Sequence, residues 1–166
     1  MKRLLIALLA ALLLLGCAES GAVFVDPNAV QGGGYGDLYF EADGVRFGIF
    51  DEADEVLSSL PAPRSTFTGE TCAFNSRDEY YYFSGFELMI NEIDGVKRIT
   101  AITLSDDTVK IPQGLYIGMP LEDAVQAFPA LGDNGWQMID GTAQLSVLIR
   151  EGAVASILYT PADTED

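Results

Sequence analysis

From residue 38 onward the chain alternates short apolar runs with turn residues, and the period of each run separates strand from helix. Residues 38–42 and 45–49 are two such runs on either side of Asp43-Gly44, and Asp-Gly between strand-like segments is a strong hairpin signal. Over residues 51–60 the period changes. Ala53, Val56, Leu57 and Leu60 stand at i, i+3, i+4 and i+7, the acids Asp51, Glu52, Asp54 and Glu55 fill the first turns, and Pro61 stops the run. That is the pattern of an amphipathic helix with negative charge at its positive end. After a Pro-rich connection, strands are predicted near residues 70–74, 79–83, 85–93 and 96–104, the last two joined by Asp94-Gly95. A second helix is predicted over residues 121–128, with Leu121, Ala124, Val125 and Phe128 in the same spacing and a stop at Pro129-Ala130. Runs over 135–139, 143–150 and 154–160, separated by Asp140-Gly141 and Glu151-Gly152, complete the pattern as strands.

A shift of 68 residues lays Ile49 on Ile117, Ala53 on Leu121, Leu57 on Val125, Leu60 on Phe128 and Pro61-Ala62 on Pro129-Ala130. The expected fold class is therefore α+β, two tandem repeats of a helix plus antiparallel strands, with the helices on one face of the sheet. The first repeat would span residues 38–107 and the second 108–160, with 161–166 as a disordered acidic tail.

The N-terminus follows a different logic. Met1-Lys2-Arg3 is basic, and residues 4–15 are Leu, Ile and Ala without interruption. Twelve helical residues reach about 18 Å, short of the roughly 30 Å of a bilayer core, so the run reads as a signal h-region rather than a permanent span. Leu14-Leu15-Gly16-Cys17 resembles the lipobox of bacterial lipoproteins. The resemblance implies diacylglyceryl transfer to the Cys17 sulfur, cleavage between Gly16 and Cys17, and N-acylation of the new terminus. Two or more acyl chains hold a protein stably where one is marginal. Residues 1–16 are then a signal peptide. Residues 17–37, with Gly32-Gly33-Gly34 and an apolar Val23-Phe24-Val25, form a lipid-anchored tether. The glycine cluster lacks the preceding strand and the lysine of a phosphate-cradling loop.

Charge and composition narrow the function. The whole chain has 9 basic and 25 acidic side chains. Loss of Lys2 and Arg3 with the signal leaves 7 against 25, a formal charge of −18 that disfavours nucleic acid and bare anionic lipid as partners. The chain contains no His, which excludes a Ser-His-Asp triad, a Cys-His nucleophile and His-containing metal sites. With Cys17 committed to lipid, Cys72 has no intramolecular partner and reads as a small buried hydrophobe in a strand-like stretch.

Residues 115–125, with Ile117-Gly118-Met119 leading into Leu121 and Val125, resemble the "I-x-G-M, then a short helix" unit of the SmpA/OmlA (BamE-like) envelope lipoproteins. Two such units in tandem resemble the beta-lactamase inhibitor protein (BLIP)-like fold. Thr71-Cys72-Ala73-Phe74, Tyr80-Tyr81-Tyr82 and residues 103–107 are also similar to lipoproteins of Gram-positive anaerobes. The resemblance implies a sheet covered by helices on one face and open to a partner on the other. It does not extend to beta-lactamase inhibition, because the mature chain can form no internal disulfide and no loop matches the inhibitors' plug.

These readings converge on a non-enzymatic protein-binding or scaffold module, lipid-anchored outside the cytoplasm, with an envelope or secreted protein as partner and no cofactor beyond the lipid on Cys17. The anchor would lie in the cell membrane, or in the outer membrane of a cell that has two. Alternation across residues 79–83 should turn one set of aromatics away from the helices. The candidate partner-binding residues are Tyr80, Tyr82, Glu87 and Met89, with Leu88 and Ile90 pointing to the helices instead, and Trp136 beside Asn134-Gly135. A small-ligand or cation-binding sensor is the alternative. A carboxylate-dependent hydrolase of envelope polymers, built on Asp51, Glu52, Asp106 and Asp107, is the third reading.

Overall fold

A computed structural model describes residues 38–70, 77–129, 131 and 135–163. The described chain is dominated by strands, 51% against 12% helix. It begins with β1 (Phe40–Ala42) and β2 (Val45–Phe47), paired through Asp43 and Gly44, both at positive φ as a tight hairpin turn requires. Helix α1 (Ala53–Ser59) follows, then β3 (Ser65–Glu70), β4 (Arg77–Tyr82), β5 (Phe86–Ile93) and β6 (Val96–Leu104). Helix α2 (Leu121–Ala127) precedes β7 (Gly135–Asp140), β8 (Ala143–Arg150) and β9 (Ala153–Pro161). Seven strands form one antiparallel sheet in the order β3-β4-β5-β6-β9-β8-β7, and β1 and β2 form a separate ribbon.

This arrangement corrects the expected α+β, BLIP-like architecture of two helix-plus-strand repeats. The likeness between the two segments is local, lying in the phase of two helical turns and their proline stops. Each helix has only seven residues, and α1 buries Ala53 and Val56 while α2 buries Ala124, too little apolar surface to organise a unit of its own. The strands carry the long apolar runs. Ile102 and Thr103 of β6 pair with Tyr159 and Leu158 of β9, which fuses both segments into a single sheet.

Alternation along the strands decides which face is dry. Leu88, Ile90, Ile99, Ile102, Leu145, Ile157 and Tyr159 are fully buried on one face, beneath the β1–β2 ribbon and both helices. Phe40 and Phe47 are the centre of that cover, with ring centroids 5.4 Å apart, and Phe40 lies 5.1 Å from Phe86 and 6.1 Å from Tyr159. Burial pushes the Tyr159 phenol far above its ordinary value, and its hydroxyl donates to Gln113 Oε1 at 3.4 Å. The connections are short bridges back to the sheet. The Phe50 N–H donates to the Ile99 carbonyl, the Ile99 N–H to Asp51, and the Val154 N–H to Met119. Phe50 takes φ +70, a strained value for a bulky side chain, and is held by burial and by Arg98 Nη1 donating to its carbonyl at 2.8 Å.

Three sequence expectations shift. The first strand after α1 occupies Ser65–Glu70, inside the stretch read as a Pro-rich connection. The expected strand at 70–74, with Cys72, lies for the most part outside the described residues, as do Gly16, Cys17 and the tether. At the other end, β9 continues through Pro161 and Ala162 is buried, its N–H donating to Thr142, so ordered chain extends into the expected tail.

Gly85 supplies a direct test of this packing. It turns β4 into β5 at φ +85, and a Cβ there would collide with the Thr108 hydroxyl and with Val109 Cγ2 at 2.5 Å. Gly85→Ala should cost about 2–4 kcal/mol in chemical denaturation, combining backbone strain with displacement of the loop. A loss under about 0.5 kcal/mol would mean that the 106–109 loop does not seat on this turn.

Candidate functional site: the open face of the sheet

The face away from the helices carries the other half of every alternation. Register sets Phe67 beside Tyr80, Tyr80 beside Met89 and Met89 beside Ala101, one row across four strands. The adjacent row is Ser65, Tyr82, Glu87, Thr103, Leu158, Ser146 and Gln137, running across all seven strands, about 29 Å at 4.8 Å per step. Neither row contains a Lys or Arg. Tyr80, Tyr82, Glu87 and Met89 are thus brought together on one surface, each half-buried by its neighbours, with Leu88 and Ile90 beneath them in the core.

Phe67 extends this patch, though the sequence reading passed over it. It is 59% exposed, and its ring lies 6.0 Å from that of Tyr80. The signal was available in Ser65-Thr66-Phe67-Thr68, a β-prone alternation, but Pro61 and Pro63 just before it drew the stretch into a loop.

A polar network adjoins the patch on the same face. At the β5–β6 bulge Ile90 faces Ile99 and Met89 faces Ala101, leaving Thr100 as the extra residue. The Thr100 hydroxyl donates to Asn91 Oδ1, with the Met89 carbonyl 3.3 Å away as a second acceptor. Asn91 Nδ2 donates to Asp78 Oδ1 at 2.6 Å, and the Tyr80 hydroxyl donates to Asp78 Oδ2 at 3.3 Å. Asn91 and Thr100 are each 1% exposed, so their polar atoms depend on partners within the protein, and Asn91 Nδ2 also reaches the Arg77 carbonyl at 3.4 Å. Burial, then the neighbouring Asp78 carboxylate, pushes the Tyr80 phenol up, so it stays a neutral donor.

At the opposite end the same face has a shallow depression of about 470 Å³. Gly135 creates it. At φ +121 the strand lies so close to Val147 that no side chain fits, which leaves Leu148 and Leu158 as apolar walls with Gln137, Ser146 and Ser156 as polar ones. Trp136 does not join the tyrosines. It stands opposite Val147 on the helix-side face, its ring 4.4 Å from Phe128, because strand parity places it one residue out of phase with Gln137.

The carboxylates considered for hydrolysis are kept apart. Asp51 Oδ2 accepts from the Gly48 N–H at 2.8 Å, and the Asp51 carbonyl is bound near the start of β6. Asp106 lies beyond the end of that strand, about 17 Å further along it, where a catalytic pair needs roughly 5–9.5 Å. Asp106 caps its own turn, accepting from the Thr108 N–H at 2.9 Å, and hydrogen bonds from Thr108 hold its carboxyl below the ordinary aspartate value. Glu52 and Asp107 are exposed at the head of α1 and in the same loop as Asp106. Among the described residues, no group of three or more His, Cys, Asp or Glu is placed to hold a metal ion.

No protein-family model and no curated protein matches the chain. Among solved structures, an extracellular protein containing an SCP domain from Bacillus anthracis str. Ames is similar at a TM-score of 0.41 and 12% identity. The alignment covers 70% of this chain and 45% of that one, so the chain spans less than half of that protein's length. Among the described residues, no helix is long and apolar enough to cross a membrane.

Two variants test the supports of the face. Asn91→Ala removes the link between Thr100 and Asp78 and should cost about 2 kcal/mol by urea titration; under about 0.5 kcal/mol would mean the network is not holding the bulge. On the helix side, Lys97 Nζ lies 2.8 Å from Glu79 Oε1, and hydrogen bonds from Lys97 and Tyr81 hold Glu79 below its ordinary value of 4.5. A lowered folded value means that the contribution is complete above about 4.5 and is lost as the pH falls through the folded value. Lys97→Met should therefore be less stable than the parent near neutrality, and the gap should narrow in thermal melts taken at successively lower pH below 4.5. A gap independent of pH would assign the loss to packing of the lysine stem.

Proposed function

We propose that this chain is an extracytoplasmic lipoprotein, anchored through a lipidated Cys17, that acts without catalysis by presenting its open sheet face to an envelope or secreted protein. The observation that carries this reading is the surface formed by Phe67, Tyr80, Tyr82 and Met89 with Glu87 beside them, which no other described element covers, while both helices and the β1–β2 ribbon lie on the other face. Aromatic side chains at the centre of such a patch supply binding energy on burial, and their hydrogen-bonded support keeps them ordered before the partner arrives. With 25 acidic against 9 basic residues in the chain, the field favours a basic partner and makes the encounter salt-sensitive. The lipobox pattern supports the anchor, and the absence of His supports a role without nucleophilic catalysis.

Two experiments test the two parts separately. Cys17→Ser should abolish partition into detergent, and mass spectrometry of the parent should find a lipid-modified N-terminal peptide that begins at residue 17. An unmodified peptide, or one that begins elsewhere, would overturn the anchor. For the face, the double variant Tyr80→Ala, Tyr82→Ala should keep a cooperative melt and lose about tenfold or more of the partner recovered from crosslinked native envelope, since truncating one aromatic hot spot costs about 2 kcal/mol or more. Unchanged recovery with a normal melt would remove this face from the interaction.

A further inference from the structure

The sheet has two edges, and β3 is unlike a protected one. Natural edge strands carry charge, proline, a bulge or a covering element that blocks pairing with another chain. Residues Ser65 to Thr68 are exposed on both faces, the run from Ser65 to Gly69 holds no charged residue and no proline, and the register with β4 is unbroken over six pairs. Among the described residues no strand pairs with its outer side.

We propose that β3 pairs with the β3 of a second copy, antiparallel about a two-fold axis at Phe67, so that two sheets become one. The sequence is self-complementary in that register. Phe67 meets its own counterpart, Thr66 meets Thr68 and Ser65 meets Gly69, and Arg64, whose guanidinium donates to Ser84 Oγ at 2.7 Å within its own copy, comes opposite position 70, an acidic residue in the sequence. Aromatic pairs, threonine pairs and opposite charges are the cross-strand combinations that stabilise antiparallel sheets. The strand's alternation admits only shifts of two residues, because side chains directly opposite must share a face. A shift of two sets Phe67 against Ser65 and Arg64 against Thr68, which loses both the aromatic and the charge pair. The opposite edge lacks this property, since β7 contains no basic residue and its Trp136 is engaged with Phe128. Repulsion between two acidic chains opposes association but is screened beyond about 8 Å at physiological salt. The two-fold axis also keeps the open faces on one side, so the row Tyr80–Phe67 of one copy continues into Phe67–Tyr80 of the other. The pairing is independent of the proposed partner, and it would double the area presented to one.

The test is cysteine crosslinking of the full chain in native envelope, in a Cys72→Ser parent that serves as the blank. Phe67→Cys sits on the axis, within disulfide reach of its counterpart, whereas Ser65→Cys is displaced from its own counterpart by four residues, about 13 Å. Mild oxidation should give a dimer with Phe67→Cys at about ten times the yield of Ser65→Cys or the blank. Arg64→Glu in the uncrosslinked protein should abolish the dimer seen by sedimentation, and Arg64→Glu with Glu70→Arg should restore it. This second arm decides the matter if Phe67→Cys fails to fold. Equal yields at positions 65 and 67, a charge swap that restores nothing, or a ladder of species beyond the dimer would each overturn the pairing. Loss of envelope-partner recovery in the tyrosine variant would leave all these readouts unchanged, so the two proposals fail separately.

Discussion

Burial of Leu88, Ile90, Ile102 and Tyr159 under the Phe40–Phe47 ribbon is the contact on which the rest of the molecule depends. A seven-stranded sheet needs an apolar lid, and the two helices, at seven residues each, cannot supply it alone. The ribbon adds aromatic rings to that lid, Phe40 against Phe86 and Tyr159. Among the described residues, both helices and the ribbon lie on that one side. The other face must then be tolerable in water on its own side chains, which is why tyrosine, threonine, serine and glutamine predominate there, each with a polar end and a packable body.

The sequence told strands from helices well where chemistry is local. Asp43-Gly44, Asp94-Gly95 and Glu151-Gly152 all take positive φ at hairpin turns, where the glycine carries no Cβ penalty. Alternation left two choices in residues 79–83, Tyr80 with Tyr82 or Tyr81 with Phe83, and only the register with β5, which sets Tyr80 beside Met89 and Tyr81 beside the buried Leu88, decides between them. What was not legible is long-range. The β6–β9 pairing involves Ile102 with Tyr159, residues far apart in sequence with nothing local to announce them, and without it the two segments read as separate repeats. Trp136 was misjudged because the neighbouring Asn134-Gly135 suggested a turn tip, whereas Gly135 begins a strand and Trp136 falls on its inner phase. Likewise β3 was hidden by the prolines before it. A proline stops a helix but does not forbid a strand that starts two residues later.

The candidate site is a surface rather than a cleft, and the energetics differ accordingly. Its polar support at Asp78, Asn91 and Thr100 resembles the second layer of an active site in being fully satisfied, yet it aims no reactive group outward. Its acids at Asp51 and Asp106 are occupied in shaping turns. Ordered aromatics on a sheet lose little conformational freedom on binding.

The central claim is that the face bearing Tyr80, Tyr82 and Met89 is covered by a partner when the protein is in place in the envelope. Hydroxyl-radical footprinting addresses it directly, since tyrosine and methionine side chains report their own solvent access by oxidation and mass spectrometry. The account predicts that Tyr82 and Met89 are oxidised in the purified chain and protected in intact envelope, while Trp136 behaves alike in both. Equal oxidation of Tyr82 and Met89 in the two states would contradict it.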